Sequence, residues 1–522
     1  MAFPIISDIL TQAAERHPER TAVRDPQRGE KRSFAELDER ARELAAGLNE
    51  AGLNPGDHLT VMLVDSIEFL ECMFASAHAG LVFNPISYRM APERLAYVLE
   101  HAESTALVFD THCIDTVTKL NATDRPAVEI GVRIDEPLAN RSYELLLEES
   151  PGRFVDDSPV AINESDPALL LYTSGTTGRP KGVLHSHRSA IEAALAPMPF
   201  SRFRPTDVTL ALGPMYHVGP LLCNILPGLV VGASVIIQRE FDPRRTLEWV
   251  ESEAITAIWG VPTHYRALID EESIDDRDVT HLRMLQYSGS AMPEPVARRC
   301  REYIPECDFV NAYGTTEIVF GTVLFPEYHD KKLGSIGQAV PKATVRVVDP
   351  ENPAPDTTVP TGEVGELLVQ TPTCMLEYWN DPEKTDEAII EGWYRTGDLG
   401  RQDEDGFLYF VDRKDDMIVS GGENIYPAEV ENVLHDHPDV TAGIVVGIPD
   451  EQWGEIVTAF VVPTDNSLTE DDLEDYFTNS GVLEDYKRPR QYEFRDELPM
   501  TQSDKIDRQT LLESIVDDKS SM

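Results

Sequence analysis

Lysine is scarce in this chain. Of 45 basic residues only 11 are lysines, they face 92 acidic residues, and the formal net charge over 522 residues is −47. A field this negative repels nucleic acid and anionic membrane surfaces, which removes both from the expected partners. The carboxylates are not gathered into a tail, because Asp156-Asp157, Glu271-Glu272, Asp275-Asp276 and Glu470-Asp471-Asp472 spread them along the chain. Such a spread suits a surface whose self-repulsion is screened by concentrated salt, as in halophiles. Cysteine is thin as well. Cys72, Cys113, Cys223, Cys300, Cys307 and Cys374 form no C-x-x-C and no paired histidine spacing. That argues against zinc and against a disulfide framework, and it fits a reducing cytoplasm. No basic leader stands at Met1 to Leu10, which include Pro4 and Asp8, so no secretory signal is expected. Long apolar runs are missing too. The longest, Leu221 to Ile237, is broken by Asn224, Pro227, Gly228 and Gly232 and reads as a buried helix followed by a core strand, not as a membrane span. No Gly-x-Ser-x-Gly elbow supplies a protein nucleophile.

What is present is enough apolar material, 41% of the chain, for two or more cores. Ser33-Phe-Ala-Glu36 is a capping box, and Phe34, Leu37, Ala41, Leu44, Ala45 and Leu48 follow the helical period up to Gly52. Then strands and helices alternate. Val61 to Val64, Leu81 to Phe83 and Ala106 to Phe109 read as strands, and Ser66 to His78 and Pro92 to His101 as helices, the mark of a parallel sheet with helices on its faces. Further on, a helix from about Ser189 and strands at Val235 to Ile237 and Ala257 to Trp259 continue the α/β pattern, with Trp259 as pocket wall or core. After Gly406 the pattern changes to hairpins and short helices, with helices at Pro427 to His437 and Thr469 to Phe477 and strands at Gly443 to Val446 and Ile456 to Val462. We expect a large α/β domain of several subdomains over residues 1–413, followed by a small α+β domain over 414–522.

One stretch carries chemistry more sharply than the rest, Tyr172-Thr-Ser-Gly-Thr-Thr-Gly-Arg-Pro-Lys-Gly182, between apolar strands at Leu169 to Tyr172 and Val183-Leu184. Gly175, Gly178 and Gly182 let backbone N–H groups converge on an anion, Thr173, Ser174, Thr176 and Thr177 add small hydroxyl donors, and Lys181 adds a compact charge. This suits a polyphosphate. It is no Walker A loop, since Pro180 precedes Lys181 and Gly182 follows it. Two further turns, Tyr287-Ser-Gly-Ser-Ala291 and Asn311-Ala-Tyr-Gly-Thr-Thr-Glu317, fall where strands end, the place where ligands collect in open α/β sheets.

The stretch Tyr172 to Gly182 resembles the phosphate-loop signature of the adenylate-forming superfamily, which holds acyl-CoA synthetases, peptide-synthetase adenylation domains and firefly-type luciferases. The resemblance implies ATP, Mg²⁺ and CoA as cofactor and co-substrates and a small carboxylic acid as the activated partner. By it, Ser288-Gly289 line the nucleotide site, Tyr313 offers a ring face to adenine, Thr316 bonds the α-phosphate and Glu317 holds Mg²⁺. Asp398, in Tyr394-Arg-Thr-Gly-Asp398, accepts from both ribose hydroxyls, and Arg413 contacts the ribose or phosphate side. In Gly213-Pro-Met-Tyr-His-Val-Gly219, His217 lines the acyl channel. Asp415 is the hinge of a mobile small domain, Gly421-Gly422 lie on the loop facing CoA, and Lys505 is the adenylation lysine, although Asp504 stands where the family usually has glycine. The implied activity is an AMP-forming acid–thiol ligase, acting on a medium- or long-chain fatty acid. An aryl-acid CoA ligase and an enzyme loading a carrier protein are the alternatives. A passive nucleotide-binding module fits less well, because binding alone needs no hinge. The sequence leaves a homodimer open.

Overall fold

A computed structural model describes residues 3–134, 139–149, 161–173, 179–290, 292, 294–450, 452–465, 467–481, 483–500, 506–508, 510–512 and 514–515. The chain divides into two compact units, Met1–Val345 with Val369–Tyr394, and Arg346–Leu368 with Arg395–Met522.

The first unit is built on two large sheets. One runs in the order Glu377–Tyr378, Lys181–Ser186, Pro167–Thr173, Val82–Pro85, His58–Met62, Ser104–Asp110, Val128–Val132 and Arg141–Ser142, parallel except at the first two pairings. The other runs Gln338–Ala339, Thr322–Leu324, Asp308–Tyr313, Met284–Tyr287, Ala257–Gly260, Val208–Ala211, Ser234–Ile236, Thr21–Asp25 and Glu30–Ser33, with antiparallel strands only at its edges. The expected parallel α/β core is therefore what the chain forms. Ser33 caps the helix Phe34–Glu50 as the sequence suggests, with Glu36 N donating to Ser33 Oγ at 3.2 Å and Ser33 N to Glu36 Oε2 at 2.7 Å. Phe34, Leu37, Ala41, Leu44, Ala45 and Leu48 are its buried face. Ser66 caps the helix Ile67–Ala79, which is buried on nearly every side and stops at Gly80 in the left-handed region, φ 71°.

The apolar run from Leu221 does form a buried helical stretch and then a strand, with one departure. Gly219–Ile225 winds as a π-helix before the α-helix Leu226–Val231 and the strand Ser234–Ile236. Pro220 and Pro227 withhold two backbone donors from this segment, which favours the wider turn over a continuous α-helix. Among the described residues, no helix is long and apolar enough to cross a membrane.

Charge is also handled inside this unit. Arg40 grips fully buried Glu71 through Nε at 2.5 Å and Nη2 at 3.1 Å, and the Tyr143 hydroxyl donates to the same carboxylate. Arg28 and Arg133 both pair with Glu68, and Arg133 reaches on to Glu30 at 2.7 Å. Salt screens exposed repulsion far more than such buried pairs. Thermal stability and activity are therefore expected to rise between low salt and molar KCl. A melting and activity series in KCl checks this, and inactivation by molar salt would overturn it.

The second unit contains the hairpin between Trp393–Gln402 and Leu408–Arg413 over its residues from Arg395, then a sheet of Glu423–Ile425, Ile418–Ser420, Gly454–Pro463 and Val440–Asp450, with Gln491–Phe494 beside Gly454–Pro463. Helices Pro427–His435 and Glu470–Ser480 complete it. The strands Val440–Asp450 and Gly454–Pro463 are longer than the sequence suggests, because polar residues such as Thr441, Thr458 and Glu455 interrupt the apolar runs that mark their centres.

Candidate active site

The phosphate-loop stretch is anchored by a strand pair. Thr173 closes Pro167–Thr173 and sits opposite Lys181, which opens the antiparallel strand Lys181–Ser186. Ser174, Gly175, Thr176, Thr177 and Gly178 lie outside the described residues. Gly182 belongs where it is, since a Cβ there would come within 2.9 Å of Leu170 Cδ1 and 3.3 Å of Trp379 Cβ. Lys181 Nζ stands 5.6 Å from the centre of the Tyr378 ring, a cation–π placement.

Tyr378 is the link the sequence does not advertise. Its hydroxyl donates to Glu317 Oε1 at 2.7 Å and lies 3.3 Å from the Tyr394 hydroxyl. The ring that carries Lys181 thus fixes the carboxylate of Glu317. Burial pushes the Tyr394 phenol well above its ordinary range, and Glu317 beside it pushes the same way. Val183, Ile318, Val369, Met375, Tyr378 and Tyr394 pack together beneath this arrangement.

The turn bearing Tyr313, Thr316 and Glu317 is held by its backbone. Tyr313 ends the strand Asp308–Tyr313 and accepts from Gly321 N at 2.9 Å as the chain returns in Thr322–Leu324. Val319 N donates to Thr315 O at 2.8 Å, and Val319 itself adopts a left-handed φ of 53°. Three neighbours then fasten consecutive carbonyls. Buried His185 donates from Nε2 to Thr316 O at 2.8 Å, Met375 N donates to Glu317 O at 2.6 Å, and the Thr373 hydroxyl donates to Ile318 O. Burial lowers the pKa of His185, so its neutral ring is the form that serves this bond. Ser288 and Gly289 follow the strand Met284–Tyr287, with Ser288 N donating to Gly260 O at 3.3 Å and Gly289 at φ 85°.

His217 sits just before the π-helix, its ring centre 4.5 Å from that of Tyr216. The loop that carries it is hung from Asp65, which accepts from Met215 N through Oδ1 at 3.0 Å and Oδ2 at 3.2 Å. Burial raises the Asp65 carboxyl to about 8. Sequence reasoning misses Asp65, since its partner lies 150 residues away. Only its place at the end of an apolar strand could have drawn attention.

In the second unit Asp398 and Arg413 face each other across the hairpin, with Arg413 Nη1 donating to Asp398 Oδ1 at 2.8 Å and Asp398 nearly buried. Asp415 lies in the short turn Lys414–Asp416. The preceding Asp412 accepts from Ala428 N and Arg413 N, each at 2.8 Å, and burial raises its carboxyl to about 6. Gly421 and Gly422 form a two-residue hairpin with φ 61° and 86°, a turn that only glycine adopts easily at both places. Gly421 N donates to Trp453 O at 2.8 Å. Asp504 and Lys505 lie outside the described residues.

Among the described residues no group of three or more His, Cys, Asp or Glu is arranged to hold a metal ion. The donor set at Glu317 is a single carboxylate, which suits a hard cation that arrives already bound to phosphate oxygens and water.

Comparison with known proteins fits this geometry. Residues 10–379 match the model of the AMP-binding enzyme family, and residues 429–505 match the AMP-binding enzyme C-terminal domain. The chain belongs to the AMP-binding enzymes. It is 36% identical over 499 residues to a feruloyl-CoA synthase from Amycolatopsis sp, covering 94% of this chain and 95% of the relative. A long-chain-fatty-acid–CoA ligase, FadD13 from Mycobacterium tuberculosis, is 30% identical over 506 residues and 97% of both chains. The crystal structure of ATP-bound MatB from Rhodopseudomonas palustris superposes with a TM-score of 0.87 at 28% identity, over 98% of this chain and 99% of that one. As members of this family do, the AMP-binding enzyme described here combines a large N-terminal α/β domain with a small C-terminal one.

Proposed function

We propose that this AMP-binding enzyme is an acid–thiol ligase that activates a carboxylic acid as its acyl-adenylate and passes the acyl group to CoA. The observation that carries this reading is the ring of Tyr378, which sets the cation of the phosphate loop, Lys181, and the carboxylate of Glu317 around one side chain. A triphosphate with its metal needs that pairing of a donor-rich loop with one acidic ligand. In the first half-reaction the acid's carboxylate oxygen attacks the α-phosphorus of ATP, the bond to the β-phosphate oxygen breaks, and pyrophosphate leaves. Two anions must approach, so donors fixed where charge develops do most of the work. Thr173, Ser174, Gly175, Thr176, Thr177, Gly178 and Lys181 take the phosphates, Thr316 takes the α-phosphate, and Lys505 joins from the small domain. Glu317 would hold Mg²⁺, which supplies charge neutralisation between the phosphates. Tyr313 with Ser288 and Gly289 takes the adenine side, Asp398 and Arg413 the ribose, and His217 lines the entry of the acid.

In the second half-reaction the small domain turns about Asp415, withdraws Lys505 and brings the Gly421-Gly422 turn to the site. The CoA thiolate attacks the acyl carbonyl and AMP leaves, giving the thioester with no covalent protein intermediate. A reducing cytoplasm suits cysteines that are all free among the described residues. The acid remains the finer question, with a medium- or long-chain fatty acid and an aryl acid as the two classes. A panel of aliphatic and aromatic acids, scored for AMP release with and without CoA, tests the reading. Acid-dependent AMP release that CoA turns over supports it. Release that responds only to an added carrier protein would replace CoA as acceptor, and ATP breakdown indifferent to every acid would overturn the proposal.

A further inference from the structure

One face of the second sheet carries buried polar groups without partners among the described residues. Asn224 is completely buried in the π-helix, yet neither its Oδ1 nor its Nδ2 has a hydrogen-bond partner among the described residues. Among the described residues Trp259 Nε1 and Gln286 Nε2 are also buried and unpartnered, while Gln286 Oε1 accepts from Ser201 Oγ at 3.3 Å. A buried donor or acceptor without a partner is expensive, and native interiors rarely tolerate several in one layer.

These groups belong to one layer. Trp259 and Gln286 are register partners on neighbouring parallel strands, so their side chains leave the same face of the sheet, and Ala211 flanks Trp259 on the other side. The π-helix lies on that face. A Cβ on Gly219 would sit 2.2 Å from Trp259 Cζ2, and one on Gly213 3.2 Å from Trp259 Cζ3. Asn224 follows Gly219 by five residues, one π-turn, which returns it to the side facing the strands. Both strands end within two residues of these side chains, at Gly260 and Tyr287, and Ser288-Gly289 follow directly. The unpaired groups therefore lie under the carboxyl edge of the sheet, where ligands of open α/β folds bind, and beside the loop of His217.

We propose that Asn224, Trp259 and Gln286 form a polar floor to the acid pocket, and that the acid is a compact aromatic one carrying a hydroxyl on its ring, far from the carboxylate. This rests on the acyl-adenylating function proposed above. Among the described residues the layer offers the donors Trp259 Nε1, Gln286 Nε2 and Asn224 Nδ2 and the acceptor Asn224 Oδ1 near the strand ends, and deeper on the same face, two residues before Ala211, the hydroxyl of Thr209, which can do either. A ring hydroxyl can accept from one or two of these donors and donate to Asn224 Oδ1, whereas the end of an alkyl chain answers none of them. The bulk of Trp259 across Gly213 and Gly219 also stands against a long straight chain, and its indole gives a flat ring an aromatic neighbour.

Acid-dependent ATP–pyrophosphate exchange with 4-hydroxycinnamic, cinnamic and octanoic acids tests this in the full chain. The hydroxylated acid is expected to exceed cinnamic acid in kcat/KM by about 10²-fold, because the analogue without the hydroxyl leaves buried donors and acceptors unpaired. Asn224→Leu should lower that ratio at least about tenfold, and Trp259→Phe, which keeps a ring but loses the N–H, should lower it in the same direction. If Asn224→Leu does not fold, Trp259→Phe decides alone. Preference for octanoic acid, or an unchanged ratio in the variants, as expected if the floor holds only ordered water, would overturn the inference. Absence of exchange with every acid would instead strike the adenylation reading itself.

Discussion

Replacing Lys505 with alanine is expected to reduce acid-dependent ATP–pyrophosphate exchange by about 10²–10³-fold, the usual loss when one preorganised donor to a developing charge is removed, while thioester formation from supplied acyl-adenylate and CoA is retained. The asymmetry follows from the proposed division of labour. In the adenylation step a carboxylate approaches a triphosphate, and the protein has few cations with which to offset that repulsion, since lysines number 11 in a chain of net charge −47. The thioester step begins from a mixed anhydride whose pyrophosphate has already gone, and there the lysine has been turned away about Asp415. Measuring both half-reactions on the same preparation checks this, and an equal loss in both would remove Lys505 from its role.

The sparse cations sharpen a point about the whole molecule. A strongly negative field repels ATP and CoA as effectively as it repels nucleic acid. Binding must then be carried by short-range, oriented donors, and Lys181 over the Tyr378 ring and Arg413 against Asp398, the groups proposed for it above, are both held by fixed neighbours. Concentrated salt weakens the long-range repulsion while leaving contacts of this length largely intact. Salt dependence and substrate affinity should therefore move together.

The parts of the fold legible in the sequence are those whose signals are local. Ser33 and Glu36 announce the start of Phe34–Glu50, Gly52 with φ 103° follows its end, and apolar strands alternate with helices down to Pro92–His101, whose limits are the expected ones. The π-helix was not legible, because a one-residue change of hydrogen-bond register leaves the apolar pattern intact. Tyr378 was hidden for another reason. Its strand, Glu377–Tyr378, is two residues long and has no periodicity, and Lys181 and Glu317, which meet its ring and hydroxyl, come from distant stretches. Asn224 stood out only as an interruption of an apolar run, and that it lacks a partner among the described residues is a property of the fold.

Gly314→Ala is expected to cost about 10²-fold in adenylation, as displacements near 1 Å at reacting groups do, together with about 1–3 kcal/mol of stability from overpacking. The reason is backbone, not side chain. A Cβ at position 314 would lie 2.0 Å from Val319 O and 2.6 Å from Val319 C, and no rotamer change relieves a clash with a main chain. The turn cannot simply slide, because His185, Met375 and Thr373 hold the carbonyls of Thr316, Glu317 and Ile318, and Val319 already occupies a left-handed conformation that a β-branched residue adopts unwillingly. Relief must therefore come from opening the turn, which would carry Thr316 and Glu317 away from the α-phosphate and the metal they are proposed to bind. Gly321→Ala is the informative contrast, since its Cβ would meet nothing nearer than 3.4 Å, and its effect should be far smaller. Exchange kinetics and melting of both variants check the pair. If Gly314→Ala keeps the wild-type exchange rate, the tight turn is not what sets the phosphate and metal ligands in place.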